Sequence, residues 1–279
     1  MEMPVSATPV VVGIDGSQAA IDAALWAVDE ALTRGAPLRL VHVVTLDEED
    51  TELDEDPAVL AADWPETEAG RASLRAASAA VHATGKPVHI VTEILWGEID
   101  LMLIKESESA QLMCVGSLGI TPLCERTLGS TAVTLAEEAH SPVAVIRRPV
   151  SPPPPEPHWI VTVVDDRPGS DKVVDVALNE AHLRRAPLLA LGVTRSDHRR
   201  VHQDALERRI ASWRGRHPYL HIYPVATSTG VAEFLSENDE LVVQLAVVGS
   251  ADAEKVSAII GPPRESRQKH SRCSVLVVR

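Results

Sequence analysis

A chain of 279 residues is long enough for about two domains of ordinary size. Its composition, 45% hydrophobic and 24% charged with only 3% aromatics, excludes a disordered or fibrous protein and calls for aliphatic packing. A net charge of -14 without a basic run excludes a general nucleic-acid binder, and three cysteines lacking a CxxC pair exclude a disulfide framework.

Residues 10–14 form a short apolar run that predicts a strand, followed by Asp15-Gly16-Ser17, a turn in which Ser17 suits a helix N-cap. Ile21, Ala24, Leu25, Val28 and Leu32 recur at helical spacing, and Gly35 ends the pattern. A second strand is expected at 38–44. Ten acidic residues between Asp47 and Glu66 predict a solvated, mobile loop, with a metal site, a partner site or a lid as the sharper alternatives. Helices are then expected near 68–83, 99–106 and 130–139, and strands near 88–95, 112–115 and 143–146. Continuously apolar strands alternating with helices predict a parallel, doubly wound sheet covered on both faces.

The run Ser151-Pro152-Pro153-Pro154-Pro155-Glu156-Pro157 predicts a stiff extended spacer, because stacked prolines exclude helix and central strand. The two sides of it match. At an offset of 150 residues Asp15 falls on Asp165, Glu30-Ala31 on Glu180-Ala181, and Arg34, Ala36, Pro37 and Leu38 on Arg184, Ala186, Pro187 and Leu188. Near the ends Val115-Gly116-Ser117 matches Val248-Gly249-Ser250. The expectation is an α/β protein of two tandem five-stranded domains, residues 1–149 and 159–279, joined by a linker at 150–158.

In an open parallel sheet, ligands bind beyond the carboxyl ends of strands where the winding reverses. Two glycine-bearing loops fall at such ends: Gly13-Ile14-Asp15-Gly16-Ser17 after the first strand and Gly116-Ser117-Leu118-Gly119 after the fourth. After nine intervening residues, Gly129-Ser130-Thr131 opens a helix whose free amides and dipole favour an anion. The spacing G-x2-G-x9-G-[S/T] at Gly116, Gly119, Gly129 and Ser130 resembles the nucleotide motif of the universal stress protein family, in its ATP-binding branch. Val11 to Ser17 looks like that family's first strand and turn, and Ser141 to Ile146 like its last strand. The resemblance covers the chain twice and implies the tandem form, with the two copies paired as a pseudo-dimer.

That resemblance implies ATP, with Mg2+, in the first copy. Asp15 would contact the adenosine part beside Gly13, Val44 would offer main-chain groups to the adenine edge, and Gly116, Ser117, Leu118, Gly119, Gly129, Ser130 and Thr131 would surround ribose and phosphates. Gln111 and Leu118 depart from the family pattern and leave Arg126 as the cation between Leu118 and Ser130, so weakened affinity is expected. In the second copy Gly13 becomes Val163, Gly16 becomes Asp166, Gly119 becomes Asp252 and Ser130-Thr131 become Pro262-Pro263. The Asp252 carboxylate should repel phosphate oxygens and the prolines remove two donors, so one ATP per chain is expected.

Other chemistries fit less well. The first glycine of Gly116-Ser117-Leu118-Gly119 is misplaced for a nucleophile elbow, and no Walker A lysine occurs. His198 and His202 stand at i, i+4, a zinc spacing without an accompanying HExxH glutamate. Cys114 reads as a small buried hydrophobe and Cys124 as the thiol with redox potential. The expected function is a nucleotide-dependent regulatory module with a protein partner of unknown kind, not a dedicated catalyst. The alternatives are an adenine-nucleotide hydrolase or ligase, and an interaction protein without nucleotide. Valines at 143–145 and 275–278 permit association into a homodimer. No leader-like N-terminus and no apolar stretch near the roughly 18 residues of a spanning helix place the expected protein in the cytoplasm, without membrane.

Overall fold

A computed structural model describes residues 7–45, 64–117, 128–147, 158–193, 199–238, 240–260 and 273–279, and for 199–205 the backbone alone. The chain divides into two compact units, Met1–Arg147 and Arg148–Arg279.

The first unit runs β1 (Val10–Gly13), α1 (Gln18–Arg34), β2 (Leu38–Val44), α2 (Pro65–His82), β3 (Ile90–Trp96), α3 (Ile99–Ser107), β4 (Leu112–Gly116), α4 (Ser130–Glu138) and β5 (Val143–Ile146). Its strands pair in the order β3-β2-β1-β4-β5, every pair parallel. The winding therefore reverses at β1, whose neighbours are β2 and β4, and the crevice lies beyond the carboxyl ends of β1 and β4. Strands buried on both faces explain the unbroken apolar runs: Val10, Val11, Val12, Leu112, Met113 and Cys114 are fully buried. β3, the outermost strand of the order, exposes Val91, Thr92 and Glu93.

Local chemistry sets the helix ends. Ser17 caps α1 by accepting from the Ala20 amide at 3.1 Å, and Gly35 closes it at φ +60, a left-handed turn that suits glycine. α1 packs through an alanine seam, Ala20, Ala23, Ala24, Ala27 and Ala31, whose short side chains let it lie close to the sheet. Buried Glu30 on that helix pairs with Arg34 one turn on, and in the second unit Glu180 meets Arg184 Nη2 at 2.8 Å. The matched Glu and Arg of the two copies are thus partners in one repeated ion pair. α2 begins at Pro65, three residues before the expected start. A proline fits a first helical position whose amide needs no partner, and Glu66 and Glu68 favour the helix dipole. Glu66 belongs to this helix and not to the acidic loop, whose residues 46–63 lie outside the described residues, as does the proline-rich linker.

The second unit repeats the plan with β6 (Trp159–Val164), α5 (Ser170–Leu183), β7 (Leu188–Val193), α6 (Arg199–Arg216), β8 (Ile222–Thr227), α7 (Val231–Glu237), β9 (Val243–Gly249), a 3-10 turn (Ser250–Lys255), α8 (Val256–Ile260) and β10 (Ser274–Val278). Its parallel order is β8-β7-β6-β9-β10. Pro224 is tolerated in β8 because that strand ends the order. The counterpart of Gln18 is Pro168, so α5 starts later, at Ser170, after Gly169 at φ +86. Among the described residues no helix is long and apolar enough to cross a membrane.

Candidate functional site

In the first unit two loops meet the crevice. After β1, Ile14 donates its amide to Val41 at 2.8 Å, and the Ile14 carbonyl accepts from His42 Nδ1 at 2.6 Å, which fixes the proton on that nitrogen. The turn that follows is closed by the Ser17 amide on Asp15 Oδ1 at 2.9 Å, with Gly16 at φ +91. Asp15 is half-buried, and its fixed turn holds the carboxyl at the mouth of the crevice.

On the β4 side, buried Ser117 donates its amide to Ile146 at 2.9 Å and accepts from the Gly129 amide at 3.1 Å. The second bond brings α4 back against the end of β4. Gly129, at φ -63 and ψ 145, caps α4 without a side-chain bond, and the first helical bond runs from Val133 to the Gly129 carbonyl at 3.3 Å. The amides of Ser130, Thr131 and Ala132 therefore have no acceptor within the helix. No acidic residue occupies the first turn, so α4 itself does not offset the positive end of its dipole.

The glycines have a packing role as well. A Cβ on Gly116 would stand 2.6 Å from the backbone carbonyl carbon of Ala19, so the residue's bare face admits the start of α1. On Gly13 a Cβ would meet Val115 Cγ1 at 3.3 Å, a tighter contact than most side chains tolerate. Val44 is buried, and its carbonyl already accepts from the Gly97 amide at 3.0 Å, where the chain leaves β3. Leu118, Gly119, Cys124 and Arg126 lie outside the described residues. Cys114 is buried in β4.

Gln111 requires a correction. Its amide donates to the Pro9 carbonyl and its Nε2 to the Thr8 carbonyl, both at 2.8 Å, at the amino end of β4. Five strand residues, roughly 16 Å, separate it from the crevice. It bridges neighbouring strand entrances, and the affinity loss expected from it does not follow.

The second unit departs from the first in a way the sequence comparison only half showed. Asp252 is buried, and the two cations on it come from opposite sides of the crevice: Arg167 Nη2 at 2.7 Å on Oδ2 and Lys255 Nζ at 2.7 Å on Oδ1. Arg167 also binds Asp165 through its side chain, and its amide reaches Asp165 Oδ1 at 3.1 Å. Arg209 of α6 adds a bond to the Asp165 carbonyl at 3.0 Å. Burial favours the neutral acid, but the bonds from Lys255 and Arg167 outweigh it and hold the Asp252 carboxyl below the usual carboxylate range. The expectation of a bare carboxylate repelling phosphate is therefore corrected: Asp252 is neutralised in place. The signal was present, since Arg167 replaces Ser17 at the same offset and Lys255 follows Asp252 by three residues. Gly261, Pro262 and Pro263 lie outside the described residues, as do His198 and the His202 side chain. Among the described residues no group of three His, Cys, Asp or Glu side chains gathers for a metal.

Residues 7–147 match the model of the universal stress protein family. Over 272 residues the chain is 44% identical to a universal stress protein of Mycobacterium tuberculosis, covering 97% of this chain and 96% of that one. A second protein of that name from the same organism is 38% identical over 290 residues, covering 100% and 98%. The crystal structure of a universal stress protein from Archaeoglobus fulgidus superposes with a TM-score of 0.69 at 14% identity, covering 97% of this chain and 96% of that one, a likeness of fold.

Proposed function

The chain belongs to the universal stress protein family, and from that premise we propose that its first unit binds ATP and works in the cytoplasm as a nucleotide-dependent regulatory module. The observation that carries this reading is the bond from the Gly129 amide to the Ser117 carbonyl, which holds three amides without helical acceptors at the reversal point of the sheet. Ser130 and Thr131 would donate to phosphate oxygens, with Gly116, Ser117, Leu118 and Gly119 beside the ribose and phosphates. Asp15 and Gly13 would lie against the adenosine, and Val44 would flank the adenine edge with its remaining main-chain capacity. Backbone amides suit a polyphosphate because they are fixed by the fold and carry no mobile side chain to order on binding.

Magnesium would come with the nucleotide's phosphates and would offset part of their charge there. Among the described side chains, His42 donates from Nδ1 to the Ile14 carbonyl and has its Nε2 against Gly70 of α2, and Asp15 is held in its turn by the Ser17 amide. Binding without turnover is the reading these contacts support. The output is then conformational, with nucleotide altering a surface read by a partner protein or a second copy. Denaturing the purified protein and identifying the released small molecules tests this. Intact ATP near one per chain is the expected result. AMP with pyrophosphate after incubation would favour a hydrolase or ligase, and an empty protein that ignores added nucleotide would favour an interaction module.

A further inference from the structure

We propose that Asp252 is a built-in anion that takes the place of a ligand's phosphate in the second unit, latching its crevice, and that the cations it holds form a latent site for phosphate-class oxyanions. Position is the first argument. Asp252 follows β9 where Gly119 follows β4, so its carboxylate stands beyond the strand ends at the reversal between β6 and β9.

Coordination is the second. Arg167, from the loop after β6, and Lys255, from the 3-10 turn after β9, each bind one carboxylate oxygen at 2.7 Å, the arrangement that would clamp an oxyanion between two loops. Asp165 in turn binds Arg167, so the link Asp165–Arg167–Asp252–Lys255 crosses the crevice without interruption. In the first unit the counterpart of Arg167 is Ser17, a neutral side chain whose hydroxyl caps α1.

Size is the third. The cavity bounded by Val163, Asp165, Arg167, Gly249 and Asp252 measures about 200 Å³, below the roughly 300 Å³ at which pockets for drug-sized ligands begin. A single phosphate or sulfate group fits within that volume. Lys172 also lines this cavity, with its ammonium on the Arg279 carbonyl. Removing the Asp252 charge takes away the anion that Arg167 and Lys255 both bind, a loss that an incoming oxyanion would make good.

Hydrogen exchange read by mass spectrometry on the full chain tests this, following peptides 159–172 and 245–256 in phosphate and in chloride of matched ionic strength. In the wild-type protein the two salts should give the same protection. In Asp252→Ala, exchange of both peptides in chloride should rise about tenfold, the change expected for losing a charge-assisted bond, and phosphate should restore it. Arg167→Ala/Asp252→Ala should lose the phosphate response. Asp252→Asn, of nearly the same shape, serves if the alanine variant does not fold. The proposal is overturned by wild-type-like exchange of the variant in chloride, by exchange that phosphate does not slow, by a double variant that still responds, or by failure of both single variants to fold even in phosphate. Because both peptides lie in the second unit, the outcome is independent of nucleotide binding in the first.

Discussion

Ser130→Pro separates the anion-binding role of α4 from its role in the fold. Ser130 is the first residue of α4, and its amide has no helical acceptor, so a proline there deletes one donor and no helical bond. The preceding residue suits the exchange: Gly129 sits at ψ 145, inside the extended range that a following proline requires, and has no Cβ to meet the ring. The change in unfolding free energy should stay within about 0.5 kcal/mol, as for substitutions that break no contact. If the Ser130 amide donates to a phosphate, its loss removes a charge-assisted bond of about 1.5 to 3 kcal/mol, a weakening of roughly ten- to hundredfold in Kd. Titration calorimetry with ATP, beside urea unfolding of the same preparation, reads both quantities. An unchanged Kd at unchanged stability would refute the assignment of this amide, and with it the argument that the helix start holds the phosphates.

Gly116→Ala should destabilise the first unit by about 1 to 3 kcal/mol in urea unfolding, since the new methyl would lie 2.6 Å from the Ala19 backbone, whereas Gly13→Ala, meeting a side-chain methyl at 3.3 Å, should perturb less. Ser17→Ala removes the cap on Ala20 and should lower stability by about 0.5 to 2 kcal/mol, with helix α1 fraying first in hydrogen exchange. The folded state holds the Asp252 carboxyl below its unfolded value, so this group's contribution is present in full above the unfolded pKa and is lost as pH falls through the folded one. Unfolding free energy measured from neutral pH into the acid range should therefore fall less steeply in Asp252→Asn than in the wild type; equal slopes would contradict the pairing with Arg167 and Lys255.

The elements were legible because they are local. Ser17 as cap, Gly35 as terminator and the apolar runs of β1, β2, β4 and β5 are each specified by a few adjacent residues, and their observed ends agree with the pattern to within a residue. The start of α2 lies before the pattern's because acidic residues signal solvation in the sequence, whereas Glu66 and Glu68 act there through the helix dipole. Within the candidate site, the pattern picks out the loops but not the bond joining Ser117 to Gly129, twelve positions apart. Nor does the pattern show that the space a Cβ on Gly116 would need belongs to Ala19.

The amino-acid sequence alone determined the duplication, the alternation of strand and helix and the placing of turn chemistry, since periodicity, capping and glycine geometry act over a few neighbours. Which charges meet was left to tertiary structure. Arg167 and Asp252 are 85 residues apart and Gln111 reaches Thr8 across 103, and only the order of strands in the sheet brings such groups within hydrogen-bond range. A carboxylate read as a repellent in the chain is a neutralised crosspiece in the fold, because the sign of its effect depends on the cations that folding sets beside it.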